Sequence, residues 1–240
     1  MIKTGMIRNL RRMRRDWDRR ARENARFYVA TGQKEWTDDE FLQAGETELR
    51  DHVLNDMGNI CQGKDPKEMK VLEIGCGAGR VTSALGRLFG EVYAVDISRE
   101  MIRRARYTVR NLSNVHLFHN NGKDLNALRG PWWRRWGKSQ TPKLDFAFSC
   151  LVFQHIPSLA VIESYVRGVN QMLRPGALFK FQVQGYTECE PDFDSSWIGV
   201  AFDEQLAKSL ATKYGFELRY QYGAGGQYYW LWFFKVREAD

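Results

Sequence analysis

From Lys70 onward two kinds of apolar spacing alternate along the chain. Compact apolar runs at Val71 to Ile74, Val92 to Val95, Val115 to His119, Leu144 to Cys150 and Ala177 to Val183 read as buried strands. Between them apolar residues recur every three or four positions, which is helical spacing. Val81, Ala84, Leu85 and Leu88 form one such face; Met101, Ile102, Ala105 and Val109 form the next, in a helix over Ser98 to Arg110. Ile162, Val166, Val169 and Leu173 mark a helix near Ser158 to Leu173, stopped by Arg174-Pro175-Gly176. A helix over Asp203 to Tyr214 ends at Gly215, and two last strands, Glu217 to Tyr222 and Gln227 to Val236, flank Gly223-Ala224-Gly225-Gly226. A parallel crossover needs about a dozen residues or more, so these last two strands should be antiparallel. The alternation predicts an α/β fold with a doubly wound, mostly parallel sheet.

The first 60 or so residues have no strand pattern. Residues 8–30 read as a mostly polar helix with Trp17, Ala21, Ala25 and Tyr28 on one face, ended by Thr31-Gly32. Thr37 and Glu40 are spaced as a capping box, and Leu49, Val53, Met57 and Ile60 form the stripe of a following helix. We therefore expect a helical cap with a basic arm over residues 1–62 and the α/β core over 63–240, joined at Gly63-Lys64-Asp65-Pro66.

Apolar residues make up 43% of the chain and charged ones 27%, an ordinary globular balance. The run around Leu144 to Ile156 is the longest apolar one, and Asp145, Ser149, Gln154 and His155 interrupt it, so no membrane span is expected. The basic N-terminus lacks a following apolar stretch, and no signal peptide is expected. The net charge of +7 has one location: residues 1–26 carry ten basic and three acidic side chains, and the remainder is balanced. The cysteines Cys61, Cys76, Cys150 and Cys189 form no C-x-x-C pair, and the histidines are scattered, so reduced thiols in a cytoplasmic protein and no metal are expected.

The most informative stretch is Val71-Leu72-Glu73-Ile74-Gly75-Cys76-Gly77-Ala78-Gly79-Arg80, a strand running through a glycine turn into a helix. Asp96 ends the next strand, about 20 residues beyond that turn, where an acid can accept hydrogen bonds from both hydroxyls of a ribose. In the dinucleotide pattern G-x-G-x-x-G the third glycine would fall at position 80, which is Arg80. The run is E-x-G-x-G-x-G instead, and it resembles motif I of the class I S-adenosylmethionine-dependent methyltransferases. The order of elements from about Lys70 to Val236 also resembles that family's seven-stranded fold with its antiparallel last strand, and Leu173-Arg174-Pro175-Gly176 resembles a phrase it often carries before strand five.

The resemblance implies S-adenosylmethionine as cofactor, with S-adenosylhomocysteine as product, and cofactor contacts from Glu73, Gly75, Cys76, Gly77, Arg80, Asp96, Ile97, Met101, Asn121, Gly122 and Leu151. Asn121 stands where the family places the side chain that meets the adenine amino group, with Asn120 as the neighbouring alternative. Arg80 and Tyr28 are candidates for the carboxylate tail, against a first-turn arginine and simple packing of the cap. His155, in Phe153-Gln154-His155-Ile156-Pro157, is the candidate catalytic residue, either a general base or, the favoured reading, a brace for its loop. Trp132-Trp133-Arg134-Arg135-Trp136 is read as a pocket rim, and Glu188, Glu190, Asp192, Phe193 and Trp197 as a substrate loop.

The expected activity is methyl transfer from S-adenosylmethionine to the O, N or S atom of a small-molecule acceptor. The alternative is an RNA methyltransferase that uses the arginine-rich segment as a phosphate-binding arm, which would bind with steep salt dependence.

Overall fold

The computed structural model describes residues 4–129, 143–186, 188 and 197–239, with side chains from Asn9 onward except at Arg129. Trp132 to Trp136, Cys189, Glu190, Asp192 and Phe193 lie outside the described residues. The described strands are β1 (Lys70–Ile74), β2 (Glu91–Asp96), β3 (Val115–His119), β4 (Leu144–Ser149), β5 (Leu173–Val183), β6 (Phe216–Tyr222) and β7 (Tyr229–Lys235). They form one sheet of order β3-β2-β1-β4-β5-β7-β6, in which β7 runs antiparallel to both its neighbours and the other pairings are parallel.

Helices cover both faces, which is why β1 and β4 at the centre are buried at successive positions and not alternately. On one face α6 (Leu159–Met172) and α7 (Glu204–Lys213) bury Ile162, Val166, Val169, Leu210 and Ala211 against Leu72, Ala147, Phe179 and Phe181. On the other, α2 (Asp38–His52), α3 (Met57–Cys61), α4 (Arg80–Leu88) and α5 (Arg99–Thr108) bury Leu49, Val53, Ile60, Val81, Leu85 and Ile102 against Val71, Val92, Phe146 and Phe148. Residues 38–61 thus share a core with the sheet. The long α1 (Thr4–Val29) instead lays Ala21 and Ala25 over Phe41, Ala78 and Met101, across the tips of the strands.

Several boundaries differ from the apolar pattern for identifiable reasons. The helix expected through Leu49 to Ile60 breaks into α2, a turn of 3₁₀-helix at Leu54–Asp56, and α3. Asp56 causes the break: its carboxylate accepts from Lys180 Nζ (2.9 Å), Trp232 Nε1 and Asn59 Nδ2 (2.7 Å), fastening the chain to β5 and β7. β5 begins at Leu173, ahead of the expected Ala177, because Arg174 donates to buried Asp145 of β4 (3.0 Å) and the β4–β5 register shifts there. Asp145 also accepts from Lys64 Nζ (2.9 Å) and the Lys70 amide (2.8 Å), so this buried charge is fully engaged. Finally, α1 is kinked: Asn24 has φ −163° and ψ 86°, its Oδ1 accepts from the Phe27 amide (3.1 Å), and its Nδ2 donates to the Lys34 carbonyl (2.8 Å). Asn24 therefore caps a second short helix that ends at Val29.

Candidate active site

In an open α/β sheet a crevice forms beyond the carboxyl ends of the strands where the strand order reverses, here between β1 and β4. A cavity of about 150 Å³ occupies that place. Its floor comes from the ends of β1, β2 and β4, and α1 supplies its roof through Met13, Trp17, Tyr28 and Val29. The β6–β7 hairpin adds Gln227 and Tyr228 at the side.

The turn after β1 explains one half of the site. Gly75 and Gly77 have φ of 78° and 52°, which L residues with a Cβ adopt at a cost. A Cβ on Gly75 would come within 2.2 Å of Val152, and one on Gly77 within 2.7 Å of Val29. The turn is fastened to β2: the amides of Gly75 and Cys76 donate to the Val95 carbonyl (2.7 and 3.0 Å). The Gly77 amide donates to one Asp96 oxygen (2.9 Å) and the Ser98 amide to the other (2.7 Å). Asp96 thus stands in the cavity wall with each oxygen holding one backbone donor and retaining acceptor capacity. Burial pushes its carboxyl up to about 6, against the pull of the two amides.

Glu73, on β1 beneath the turn, is the second acid of the wall. Burial pushes it up to about 7, against the pull of the neighbouring Thr82 hydroxyl and of Arg80, and neither its Oε2 nor that hydroxyl meets hydrogen-bond geometry with a described residue. A buried carboxylate oxygen without a donor costs free energy that a bound cation would recover.

The other predicted residues separate into those the fold brings together and those it does not. Cys76, Ile97, Met101, Leu151, Tyr28 and His155 all line the cavity. Asn121 does not: it is exposed, and its Oδ1 accepts from the Lys123 and Asp124 amides (2.7 and 3.0 Å), an Asx turn. Asn120 takes the wall position, donating to the Tyr165 hydroxyl (2.8 Å) and accepting from the Gly122 amide (3.0 Å). Gly122 itself lies behind the wall, packed on Ile97. Arg80 reaches the cavity, but its guanidinium donates to the Ala44 carbonyl (2.9 Å) and pairs with Glu48 (3.4 Å), so its fork is spent on α2. The Tyr28 hydroxyl donates to Glu23 (3.1 Å).

The half of the cavity beyond β4 and β5 is walled by rings. His155 lies 4.9 Å from Trp197 and 5.3 Å from Trp17, centroid to centroid, and Tyr28 meets Trp197 edge-on at 6.3 Å. His155 Nδ1 faces the Trp197 carbonyl and so carries the proton; Nε2 accepts from Gln154 Nε2 (3.1 Å). Burial lowers its pKa to about 4, and the ring is neutral near pH 7. Gln182 orders this wall from below. Its Nε2 donates to Gln154 Oε1 (2.9 Å) and the Gln227 carbonyl (3.3 Å), and its Oε1 accepts from the amide of Leu151, which has φ of 58°. Gln182, Gln227 and Tyr228 were not anticipated. A glutamine inside the apolar run Phe179 to Val183 was the one available signal for the first; the hairpin residues carried none.

Comparison with known proteins agrees with this geometry. Residues 72–179 match the family described as "Methyltransferase domain". The mitochondrial ubiquinone biosynthesis O-methyltransferase of Rattus norvegicus is 26% identical over 164 residues, covering 66% of this chain and 42% of that protein. Its Homo sapiens counterpart is 40% identical over 160 residues, covering 66% and 39%. The chain thus spans about two fifths of the length of these curated relatives. Among solved structures, the magnesium protoporphyrin IX methyltransferase of Synechocystis PCC 6803 with bound S-adenosylhomocysteine superposes with a TM-score of 0.65 at 14% identity, covering 95% of this chain and all of that one. The N-methyltransferase NodS of Bradyrhizobium japonicum WM9, also with S-adenosylhomocysteine, gives 0.63 at 15% identity, covering 94% and 100%. At these identities the structures establish the fold, and none of the four names a nucleic acid.

Proposed function

Because the core of this chain is a class I S-adenosylmethionine-dependent methyltransferase domain, we propose that the protein transfers a methyl group from S-adenosylmethionine to a small-molecule acceptor. The observation that carries this reading is the placement of two acids, Asp96 and Glu73, in one cavity wall beside a glycine turn. The donor set suits the cofactor. Asp96 keeps acceptor sites for a pair of ribose hydroxyls, and the orphaned Glu73 Oε2 suits an ammonium. Asn120, Ile97 and Met101 would border the adenine, and the glycine turn admits close backbone approach.

When bound, the cofactor supplies an electrophilic methyl group on a sulfonium. The protein then has to hold the acceptor atom in line at near-attack distance and keep water out. The α1 roof, with Trp17 and Val29 in the cavity wall, excludes water. His155 acts by position: both ring nitrogens are engaged, and an imidazolium there is opposed by burial and by Arg20, so it is a poor proton acceptor. Its contribution is to pin Trp197 over the cavity. The free thiols Cys61, Cys76 and Cys150 suit a reducing, cytoplasmic setting.

Titration calorimetry with S-adenosylhomocysteine tests the reading. We expect binding by the intact chain, and loss of at least ~1.4 kcal/mol, a tenfold weakening, in Asp96→Ala with its circular dichroism unchanged. Unaltered affinity in that variant would refute the assignment.

A further inference from the structure

Arg80 and Glu73 carry opposite charges, both are buried, and both line the cavity at its glycine-turn end. Buried charges of opposite sign ordinarily pair. These two do not: among the described residues Arg80 makes no hydrogen bond to Glu73, and the Glu73 Oε2 takes none from any of them. The guanidinium is held by α2 instead. Its Nη1 donates to the Ala44 carbonyl (2.9 Å), and both terminal nitrogens lie against Glu48 Oε1, at 3.5 and 3.4 Å. Glu48 itself is not part of the cavity wall.

The helix packing fixes this arrangement. A Cβ on Gly45 would come within 2.3 Å of the Arg80 carbonyl, so α2 lies against the first turn of α4 at a distance only glycine allows. Glu48 follows Gly45 one turn later on the same face. Its second oxygen is engaged as well: Oε2 accepts from the Cys150 thiol (3.5 Å) and faces His52 Nε2 (3.4 Å), and the His52 ring is stacked on Trp230 at 4.2 Å. Burial acts to raise Glu48, but His52 and Arg80 outweigh it and hold the carboxyl below its ordinary range, so it is ionised near pH 7. The titratable groups that face one another here are Glu48 and His52 on α2, Arg80 on α4, Cys150 after β4, and Glu73 and Asp96 on β1 and β2.

A guanidinium released from Glu48 would find an ionised carboxylate in its own cavity wall, and a charge-assisted fork is about twice as strong as a neutral hydrogen bond. That pairing would occupy the Glu73 oxygen that a ligand's ammonium needs. Resting on the methyltransferase reading, we propose that Glu48 is a positioning residue for cofactor binding: by holding Arg80 against α2 it reserves Glu73 for the cofactor's ammonium group. Glu48 does this from outside the cavity, without touching the ligand.

The test compares two ligands on the full chain by calorimetry: S-adenosylhomocysteine, and 5′-methylthioadenosine, which shares its thioadenosine and lacks the ammonium. In the isosteric variant Glu48→Gln, at about pH 8, S-adenosylhomocysteine should weaken by at least about fivefold while 5′-methylthioadenosine stays within about twofold. The retained affinity for the second ligand shows that the variant folds. The pH at which S-adenosylhomocysteine affinity rises should move down by about one unit, because Arg80, no longer neutralised, favours ionised Glu73. Adding Arg80→Met to Glu48→Gln should recover most of the loss, which a packing role for Glu48 does not give. Unaltered affinity with an unmoved pH profile, equal weakening of both ligands, or a double variant no better than the single one overturns the proposal. Tighter binding in Glu48→Gln overturns it too, since the freed guanidinium would then serve the ligand's carboxylate. Failure of both ligands to bind the unaltered chain overturns the methyltransferase reading itself, and is seen separately.

Discussion

Glu73 is a carboxylic acid that folding places in the wrong solvent. Burial raises it to about 7 and Asp96 to about 6, both above their unfolded values of roughly 4. The folded state therefore holds protons more tightly than the unfolded one between about pH 4 and pH 7, and these two groups make stability fall as pH rises through that window. Binding has the opposite slope. An ammonium prefers ionised Glu73, so affinity for S-adenosylhomocysteine should rise from about pH 5 to about pH 8. In Glu73→Gln that rise should flatten, as calorimetry across the range would show. His155 gives a second residue-scale expectation. Asparagine reproduces the Nδ1–H donor to the Trp197 carbonyl but cannot act as a base. His155→Asn should keep turnover within about tenfold of the parent, whereas loss of a true general base typically costs a hundredfold or more. The glycine turn and Asp96 were readable in the sequence because their chemistry is local. Asn121 and Arg80 were not: an Asx turn decides which of two adjacent asparagines faces inward, and Glu48, on a different helix, decides where the arginine points.

At the level of elements, α1 is latched and hinged. Asp18 accepts from the Ser98 hydroxyl (2.6 Å) and the Glu100 amide (3.2 Å) at the start of α5, next to the Ser98 amide that Asp96 holds. Asn24 provides the bend. Asp18→Ala removes a cap-like contact of ~1 kcal/mol. It should increase proteolytic cleavage within residues 4–29 and weaken S-adenosylhomocysteine several-fold, leaving global unfolding little changed. The α2–α3 break carries a larger stake. Lys180 is buried and its ammonium is shared between Asp56 and the His52 carbonyl (2.7 Å). Asp56→Ala leaves that charge half-satisfied and should cost ~3 kcal/mol in denaturant unfolding. The sequence showed the apolar stripe through Leu49 and Ile60 but not this break, since the partners that divert Asp56 lie more than a hundred residues away on β5 and β7. Strand and helix identities, by contrast, follow from apolar periodicity; most ends moved by a residue or two, and β5 gained its first residues where Arg174 pairs with Asp145.

For the molecule as a whole, the doubly wound alternation and the antiparallel last pair were legible from period and loop length, and the seven-stranded arrangement through the family resemblance; the strand order came from the structure. The ring-walled half of the cavity was not, since Trp17, His155, Trp197 and Gln227 come together only through the closed fold. Ligand occupying this crevice binds the folded chain alone. At ~100-fold excess over its Kd, S-adenosylhomocysteine should add ~2.7 kcal/mol to stability. For a chain of this size that corresponds to a rise of about 5–10 °C in Tm, measurable by calorimetric scanning. The position of Val29 has a kinetic counterpart. Its methyl group lies within 2.7 Å of where a Cβ of Gly77 would stand, so the end of α1 covers the glycine turn. Entry then waits on a spontaneous peeling of the short helix after Asn24, and in stopped-flow mixing the association rate should level off at high ligand concentration, at the frequency with which that helix lifts.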